Sequence, residues 1–351
     1  MTRPAPEQST RAVASSRGQS CWVITEGAAG MENQCLGLAD ALGLDATVFR
    51  PPKPLLHGIV PGRWLGAAKL LQRLRANAQS SGTESGTDTG RASPDYPDIA
   101  ISCGHKSVAY AIALRRMSQG RTLTVHIQNP HTSPALFDLV FAPAHDRLEG
   151  ANVIATAGAL HRVTARQLDD ARQHFSDRYA NLPRPLITAL IGGASKRYRL
   201  DAEAARAIGN DLAKLVATHN GSLLVTTSRR TAPDAATALR QALADVPGEI
   251  WDGTNDNPYF GYLALADHIV VTCDSVTMTS EACATGKPVH IMRLKGRGSR
   301  RFDQFFADFM AAGYVHWFTG ALDAWQYDPP LETARAAEII RQRLVDRAPD
   351  L

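Results

Sequence analysis

The 351-residue chain has no apolar run long enough to span a bilayer, and it lacks the cysteine spacing of disulfide-rich or zinc-binding modules. Its five cysteines are an odd number without a C-x-x-C pair, and most of them lie in apolar runs. We therefore expect buried, reduced thiols and a reducing compartment. The net charge of +4 is too small to indicate a nucleic-acid partner, although it suits an anionic small ligand or a membrane surface.

Several well-known catalytic motifs are also absent. Without G-x-G-x-x-G the chain does not favour a dinucleotide cofactor, and without G-x-x-x-x-G-K-[ST] it is not a P-loop protein. The absence of G-x-S-x-G and H-E-x-x-H removes the common hydrolase and zincin templates. Because a clear D-x-D is missing as well, we predict neither a metal site nor a cofactor.

What the chain does contain is a repeated alternation of strand and helix. Short apolar runs such as Cys21 to Thr25 and Leu186 to Ile191 end in glycine-rich or polar turns, and segments with helical spacing follow them. This order is typical of a parallel doubly wound sheet. Since the series restarts after Pro183, the predicted fold class is α/β with two Rossmann-like doubly wound domains facing a cleft.

The expected domain limits follow from breaks in this alternation. Residues 1–20 are predicted to be a disordered tail, with a transit peptide as the alternative. The N-terminal, acceptor-side domain is expected at 21–182, with a Ser/Gly-rich flexible insertion at 78–97. The C-terminal, nucleotide-side domain is expected at 183–330. A C-terminal helix at 331–351 could return to the N-terminal domain.

The segment from Cys273 to Ile291 carries the strongest functional signal. Asp274 and Ser275 connect a buried strand to a short helix, whose free N–H groups and partial positive charge suit a phosphate. Glu281 is placed on that helix to accept hydrogen bonds from ribose hydroxyls. The alternative is an ordinary turn followed by a solvated glutamate.

Other strand ends of the second domain supply glycines, hydroxyls and cationic groups of the kind that bind phosphate. Each could instead serve only its turn or be a solvated loop. The predicted nucleotide and phosphate site consists of Gly192, Gly193, Ser195, Lys196, Ser228, Arg229, Asn257, Tyr259, Asp274, Ser275, Met278 and Glu281.

Polar residues at the strand ends of the first domain are the predicted acceptor side. They are Glu26, Gly27, Gly30, Asn33, Gln34, Gln128 and Asn129. An acceptor hydroxyl needs a general base, and the catalytic candidates are His105, His145 and Asp146. A structural role is the alternative for each histidine.

The segment 63–75, RWLGAAKLLQRLR, has an apolar stripe surrounded by basic residues. It could lie on an anionic membrane surface as an amphipathic helix. The alternative is a helix that packs its leucine face on the sheet.

Taken together, these motifs resemble the mitochondrial fission (elongated-mitochondria) family, from Trp22 to about Phe318. The resemblance rests on GAAGMENQCLGLADALG, ISCGHKSVAYAIALRR, QNP, FDLVFAPAHD, IGGASKRY, NPY and TCDSVTMTSEACATGKPV. It implies a GT-B-like architecture, distantly similar to the lipid-intermediate N-acetylglucosaminyltransferase of cell-wall synthesis. Plant members of the family act in mitochondrial fission by recruiting a dynamin-related protein.

The predicted function is that of a metal-independent glycosyltransferase that takes a nucleoside-diphosphate sugar and acts on a cell-envelope or lipid-linked acceptor. One alternative is a non-catalytic, membrane-associated adaptor. A nucleoside-diphosphate-sugar epimerase is less favoured because the dinucleotide fingerprint is missing. We expect a cytoplasmic protein, with peripheral attachment to the inner face of the cytoplasmic membrane through 63–75 as an additional hypothesis.

Overall fold

The structure is a computed structural model that describes residues 19–51, 72 and 96–347. Three predictions therefore fall mainly outside the described residues. They concern the N-terminal tail, the basic helix at 63–75 and the insertion at 78–97.

The first domain is built on a six-stranded parallel sheet. Its strands are β1 (Cys21–Thr25), β2 (Ala46–Phe49), β3 (Ile99–Cys103), β4 (Leu123–Ile127), β5 (Leu139–Pro143) and β6 (Val153–Thr156). Helices α1 (Ala29–Leu42) and α2 (Val108–Met117) connect the strands, together with the 3₁₀ turns Pro134–Leu136 and Ala144–Asp146. The strand order is β2-β1-β3-β4-β5-β6, so the chain reverses its direction across the sheet between β1 and β3.

The second domain repeats this architecture. Its strands are β7 (Leu186–Ile191), β8 (Ser222–Thr227), β9 (Gly248–Ile250), β10 (His268–Thr272), β11 (Val289–Met292) and β12 (Val315–Trp317). Its helices are α4 (Ala202–His219), α5 (Pro233–Ala242), α6 (Tyr259–Leu265), α7 (Val276–Cys283) and α8 (Arg300–Ala311). The strand order is β12-β11-β10-β7-β8-β9, and the reversal lies between β7 and β10. The prediction of two doubly wound parallel sheets is confirmed.

The sequences of the central strands explain why both sheets are parallel. Residues of β1, β3, β4 and β7 are buried along their whole length. Strands that are covered on both faces tend to be near-continuous apolar runs, as β1, β3 and β7 are, whereas β4 (LTVHI) alternates and buries its polar Thr124 and His126 as well. All five cysteines lie in these cores as buried free thiols.

Two further helices, α3 (Ala165–Tyr179) and α9 (Glu332–Arg347), connect the domains. Phe175 and Tyr179 of α3 pack with Tyr262 of α6 and with Leu186 and Leu224 of the second sheet. The C-terminal helix α9 returns to the first domain, where Ala337 and Ile340 join the core beside α1. Among the described residues, no helix has the length and apolar character needed to cross a membrane.

Some predicted strand limits differ from those of the structure. The apolar run from Leu136 to Phe141 predicts a strand of that length, but the strand begins only at Leu139, because a 3₁₀ turn at Pro134–Leu136 precedes it. The edge strands β6 and β12 were not predicted. They have four and three residues, and such short segments carry little periodic signal.

Candidate functional site

In each sheet, the point where the chain reverses direction opens a crevice at the carboxyl ends of the strands. Ligands of doubly wound sheets bind at such points. The crevice of the first domain lies between the ends of β1 and β3, near Glu26 and Gly104. That of the second domain lies between the ends of β7 and β10, near Gly192 and Asp274. Most of the predicted site residues therefore belong to one of two loop clusters.

The second-domain crevice is organised around Asp274, whose side chain is fully buried. Its carboxylate accepts hydrogen bonds from the Gly193 N–H (3.0 Å), the Thr272 hydroxyl (2.7 Å) and the Arg230 guanidinium (2.6 Å). Gly192 makes this approach feasible, because a Cβ at that position would overlap the Asp274 carboxylate. The Gly193 amide, which was predicted to bind phosphate, thus donates to a carboxylate of the protein.

Some of the neighbouring predicted residues form hydrogen bonds within their own loops, and others have no such role and are exposed. The Ser195 hydroxyl accepts hydrogen bonds from the amides of Arg197 and Tyr198, and Ser228 accepts one from the amide of Arg230. Lys196 and Arg229 are exposed at the rim. The loop that follows β8 therefore gives one arginine, Arg230, to Asp274 and leaves the other, Arg229, on the surface.

The N-terminus of α7 faces the first domain. Ser275 caps this helix by accepting a hydrogen bond from the Met278 amide at 3.2 Å. Across the cleft, a Cβ on Gly30, in the first turn of α1, would lie 3.6 Å from the Thr277 hydroxyl. Two helix N-termini thus approach each other, one from each domain. Because both carry partial positive charge, an anion lying beside this contact would be stabilised.

Glu281 lies on α7 and is 5% exposed. Its carboxylate accepts a short hydrogen bond from the Tyr259 hydroxyl, and the amide of Tyr259 in turn donates to the Asn257 side chain at 3.0 Å. Burial raises the pKa of Glu281 to about 7, although the hydrogen bond from Tyr259 opposes that shift. Glu281 is therefore not the solvated glutamate of the alternative interpretation.

The first-domain crevice holds part of the predicted acceptor side. Glu26 accepts a hydrogen bond from the Lys106 amide at 2.8 Å, so it caps the turn that leads into α2. The rings of His105 and His131 meet edge to face with centroids 5.9 Å apart, and both residues are exposed. The Asn129 side chain accepts a hydrogen bond from the His131 amide.

The remaining acceptor-side residues lie on the same edge. Gln128 has a positive φ of 78°, and Gln34, which is buried, donates a hydrogen bond to the Gly30 carbonyl. Asn33 is half-buried on α1, and Gly27 has a φ of 80° in the turn that precedes this helix.

The candidate pair His145 and Asp146 lies apart from His105, at the end of β5. Their side chains are buried, and His145 Nε2 lies 3.5 Å from Asp146 Oδ1. The Asp146 carboxylate also accepts a close hydrogen bond from Arg301 of α8, across the domain boundary. Burial lowers the pKa of His145 below its ordinary value.

Several residues that organise the site were not predicted. Arg230, Thr272 and Arg301 act through partners that are distant in sequence. Lys287, in the Gly-Lys-Pro motif, donates to the carbonyls of Leu263 and Ala264 at the end of α6. Among the described residues, no group of three or more His, Cys, Asp or Glu side chains is arranged to hold a metal ion.

Two doubly wound domains that face each other across a cleft define a GT-B-like protein. The family model described as Mitochondrial fission ELM1 matches residues 29–344, and the chain belongs to this family. The chain is 32% identical to "Mitochondrial fission protein ELM1" of Arabidopsis thaliana over 390 residues, which cover 93% of this chain and 91% of that protein. The family predicted from the motifs is confirmed.

Solved structures with a similar fold include UDP-GlcNAc 2-epimerases. That of Methanocaldococcus jannaschii has a TM-score of 0.55 and 11% identity, covering 93% of this chain and 99% of that chain. That of Neisseria meningitidis, bound to UDP-GlcNAc, has a TM-score of 0.51 and 14% identity, again covering 93% and 99%. At these identities the likeness establishes the GT-B-like fold alone.

Proposed function

We propose that the cleft binds a nucleoside-diphosphate sugar and that the protein is a metal-independent glycosyltransferase. The observation that carries this proposal is the approach of the α1 and α7 N-termini at the two crevices, near Gly30 and Thr277. A diphosphate placed beside this contact would receive N–H groups and positive partial charge from both domains. That similarly folded proteins include one bound to UDP-GlcNAc supports this class of ligand.

In this proposal the second domain holds the nucleotide. Glu281 lies five residues after the start of α7. Its carboxylate would accept hydrogen bonds from ribose hydroxyls while Tyr259 keeps its own hydrogen bond to the other oxygen. Lys196 and Arg229, exposed at the rim, would reach the diphosphate oxygens. Because negative charge grows on the leaving diphosphate, the same donors would stabilise the transition state.

The first domain would hold the acceptor. His105 is exposed at the crevice, so it is accessible to an acceptor hydroxyl and is our candidate for the general base. His145 is buried and lies against Asp146, which makes it less accessible to a substrate. The cell-envelope or lipid-linked nature of the acceptor, and attachment to the inner face of the cytoplasmic membrane, remain part of the hypothesis.

Isothermal titration with a panel of nucleotides and nucleotide sugars, UDP-GlcNAc first, tests the proposal. We expect one diphosphate sugar to bind, and Glu281→Ala to weaken its binding by about 1–3 kcal/mol because a charged hydrogen bond is lost. Glu338→Ala is the matched control, since it removes a glutamate that is 74% exposed on α9. Equal affinity in folded Glu281→Ala and wild-type protein would contradict the ribose assignment.

A non-catalytic adaptor is the second candidate, and membership of the mitochondrial fission family favours it. Failure of every nucleotide in the titration would support the adaptor. An epimerase is the third candidate. Because proteins of similar fold include epimerases, the missing dinucleotide fingerprint does not argue against an epimerase of that kind. Analysis of the product formed from a bound nucleotide sugar would distinguish an epimerase from a transferase.

A further inference from the structure

A cavity of about 570 Å³ lies between the two domains. None of the residues that line it belongs to α1 or α7. One wall is the 3₁₀ turn Ala144–Asp146 and the residue after it, Arg147, at the end of β5. The other wall is the first two turns of α8, including Arg300 and Arg301. Each domain therefore contributes cationic side chains to one cavity, which is open to solvent on one side.

The charges around this cavity are unbalanced. Arg147, Arg300 and Arg301 line it, together with a single carboxylate, Asp303. Arg301 is paired with the buried Asp146. Among the described residues, neither Arg147 nor Arg300 has a carboxylate within ion-pair distance. Two guanidiniums thus lie in the wall without a counter-charge.

The position of these arginines on α8 adds to the imbalance. Arg300 and Arg301 are the first two residues of the helix, where the partial charge of the helix is already positive. The loop before them, Arg293 to Ser299, contains three more basic residues, which do not line the cavity, and Lys295 among them pairs with Glu203. Its backbone pairs with the loop after β7, since Arg297 N–H donates to the Arg197 carbonyl and Arg199 N–H to that of Lys295.

One residue that lines the cavity has a buried polar atom without a partner. The side chain of His145 is 6% exposed, and its Nδ1 has no hydrogen-bond partner among the described residues. Buried polar atoms are normally hydrogen-bonded, so this ring nitrogen is a second, independent sign of a ligand site.

We propose that this cavity binds the phosphate or pyrophosphate group of a second ligand while the nucleotide occupies the cleft. Arginine guanidiniums suit phosphate oxygens because they donate in a planar fork. The cavity exceeds the size of one phosphate, so an organic part of the ligand would also fit. That this ligand is the acceptor rests on the proposed function, whereas the anion site itself does not.

Isothermal titration of inorganic pyrophosphate at constant ionic strength tests the site. We expect wild-type protein to bind it and the double variant Arg147→Gln/Arg300→Gln to bind it about tenfold or more weakly. These two positions spare Arg301, whose loss would leave Asp146 unpaired. Arg206→Gln/Arg343→Gln is the matched control, because it removes two exposed arginines elsewhere and should change the affinity by less than about twofold.

A second variant separates shape from charge. Ala307→Trp would occupy part of the cavity without changing its charge, and it should also weaken pyrophosphate binding. Undiminished binding by folded Arg147→Gln/Arg300→Gln protein would overturn the anion site, as would absence of binding to the wild type.

Titration of pyrophosphate into protein saturated with nucleotide tests whether the cavity is a site separate from the nucleotide site. We expect pyrophosphate to bind the nucleotide-saturated protein as well, whereas mutual exclusion would contradict a separate site. If no nucleotide binds, the proposed function fails, and the comparison of the arginine variants still decides whether the anion site exists.

Discussion

At the carboxyl edge of the second sheet, Asp274 and Glu281 are buried and accept hydrogen bonds from the protein itself, whereas His105 and His131 at the edge of the first sheet are exposed. Both edges arise from the same topological feature, the reversal of strand order. The polar side chains at the two edges nevertheless have different roles. Asp274 and Glu281 at the second edge hold other segments of the protein, as Glu26 does at the first edge, whereas the two histidines of the first edge are exposed.

This difference shows that a polar residue at a strand end does not necessarily bind a ligand. Asp274 stabilises the loop after β7 because its carboxylate satisfies the Gly193 amide and the Thr272 hydroxyl. Such a group should be costly to remove even when no ligand is present. A group such as His105 should cost little in stability and matter mainly for chemistry.

Asp274→Ala should have the largest effect on folding. The substitution leaves the buried Gly193 amide and Thr272 hydroxyl without an acceptor and deprives Arg230 of its partner. We expect a loss of about 3 kcal/mol in the free energy of unfolding, measured by urea denaturation. Asp256→Ala is the control, since that aspartate is 78% exposed, and it should change stability by less than about 0.5 kcal/mol. Similar losses in both variants would remove the distinction between the two edges.

Glu281→Gln should change how stability depends on pH. Burial raises the pKa of Glu281 from 4.5 to about 7 in the folded protein. The unfolded chain therefore releases this proton at lower pH than the folded protein does, so the contribution of Glu281 is fully present below pH 4.5 and is lost as the pH rises through 7. Glutamine can accept the Tyr259 hydrogen bond without a charge.

The variant should consequently be more stable than the wild type at pH 8, by up to about 3 kcal/mol, and the difference should close near pH 4.5. Urea denaturation at both pH values measures this. A constant difference between the two proteins across that range would mean that Glu281 is charged and well compensated in the fold. Glu338→Gln, at an exposed position, controls for the general effect of losing a carboxylate.

Local sequence patterns were sufficient to predict the two sheets and the strand ends on which the candidate site lies. Runs such as β7 and β10 are mainly apolar, and the turns after them contain Gly192 and Asp274. The parallel alternation then brings these turns to one edge, because the carboxyl ends of parallel strands lie together.

The partners within that edge could not be predicted, because they depend on how loops fold onto one another. Nothing in the dipeptide Arg229-Arg230 indicates which guanidinium reaches Asp274, 44 residues further along the chain. Arg301 and Asp146 are separated by 155 positions and belong to different domains. Spacing reports which residues share a face of one element, but it does not report which elements meet.

His105→Ala should have the smallest effect on stability and is the sharpest test of the comparison. His105 is exposed, and its edge-to-face contact is with another exposed ring, that of His131. We expect the free energy of unfolding to change by less than about 0.5 kcal/mol.

If His105 is the general base, transfer of sugar from the nucleotide that the titration identifies should fall by about 10²- to 10⁴-fold while nucleotide affinity stays unchanged. Parallel measurement of unfolding, nucleotide binding and turnover separates these effects, and His131→Ala is the matched control because it removes the neighbouring exposed imidazole. A large loss of stability would place His105 among the structural residues, with Asp274. Unchanged turnover in a stable His105→Ala protein would instead assign the base to another group, and the first-sheet edge would then position the acceptor without taking part in proton transfer.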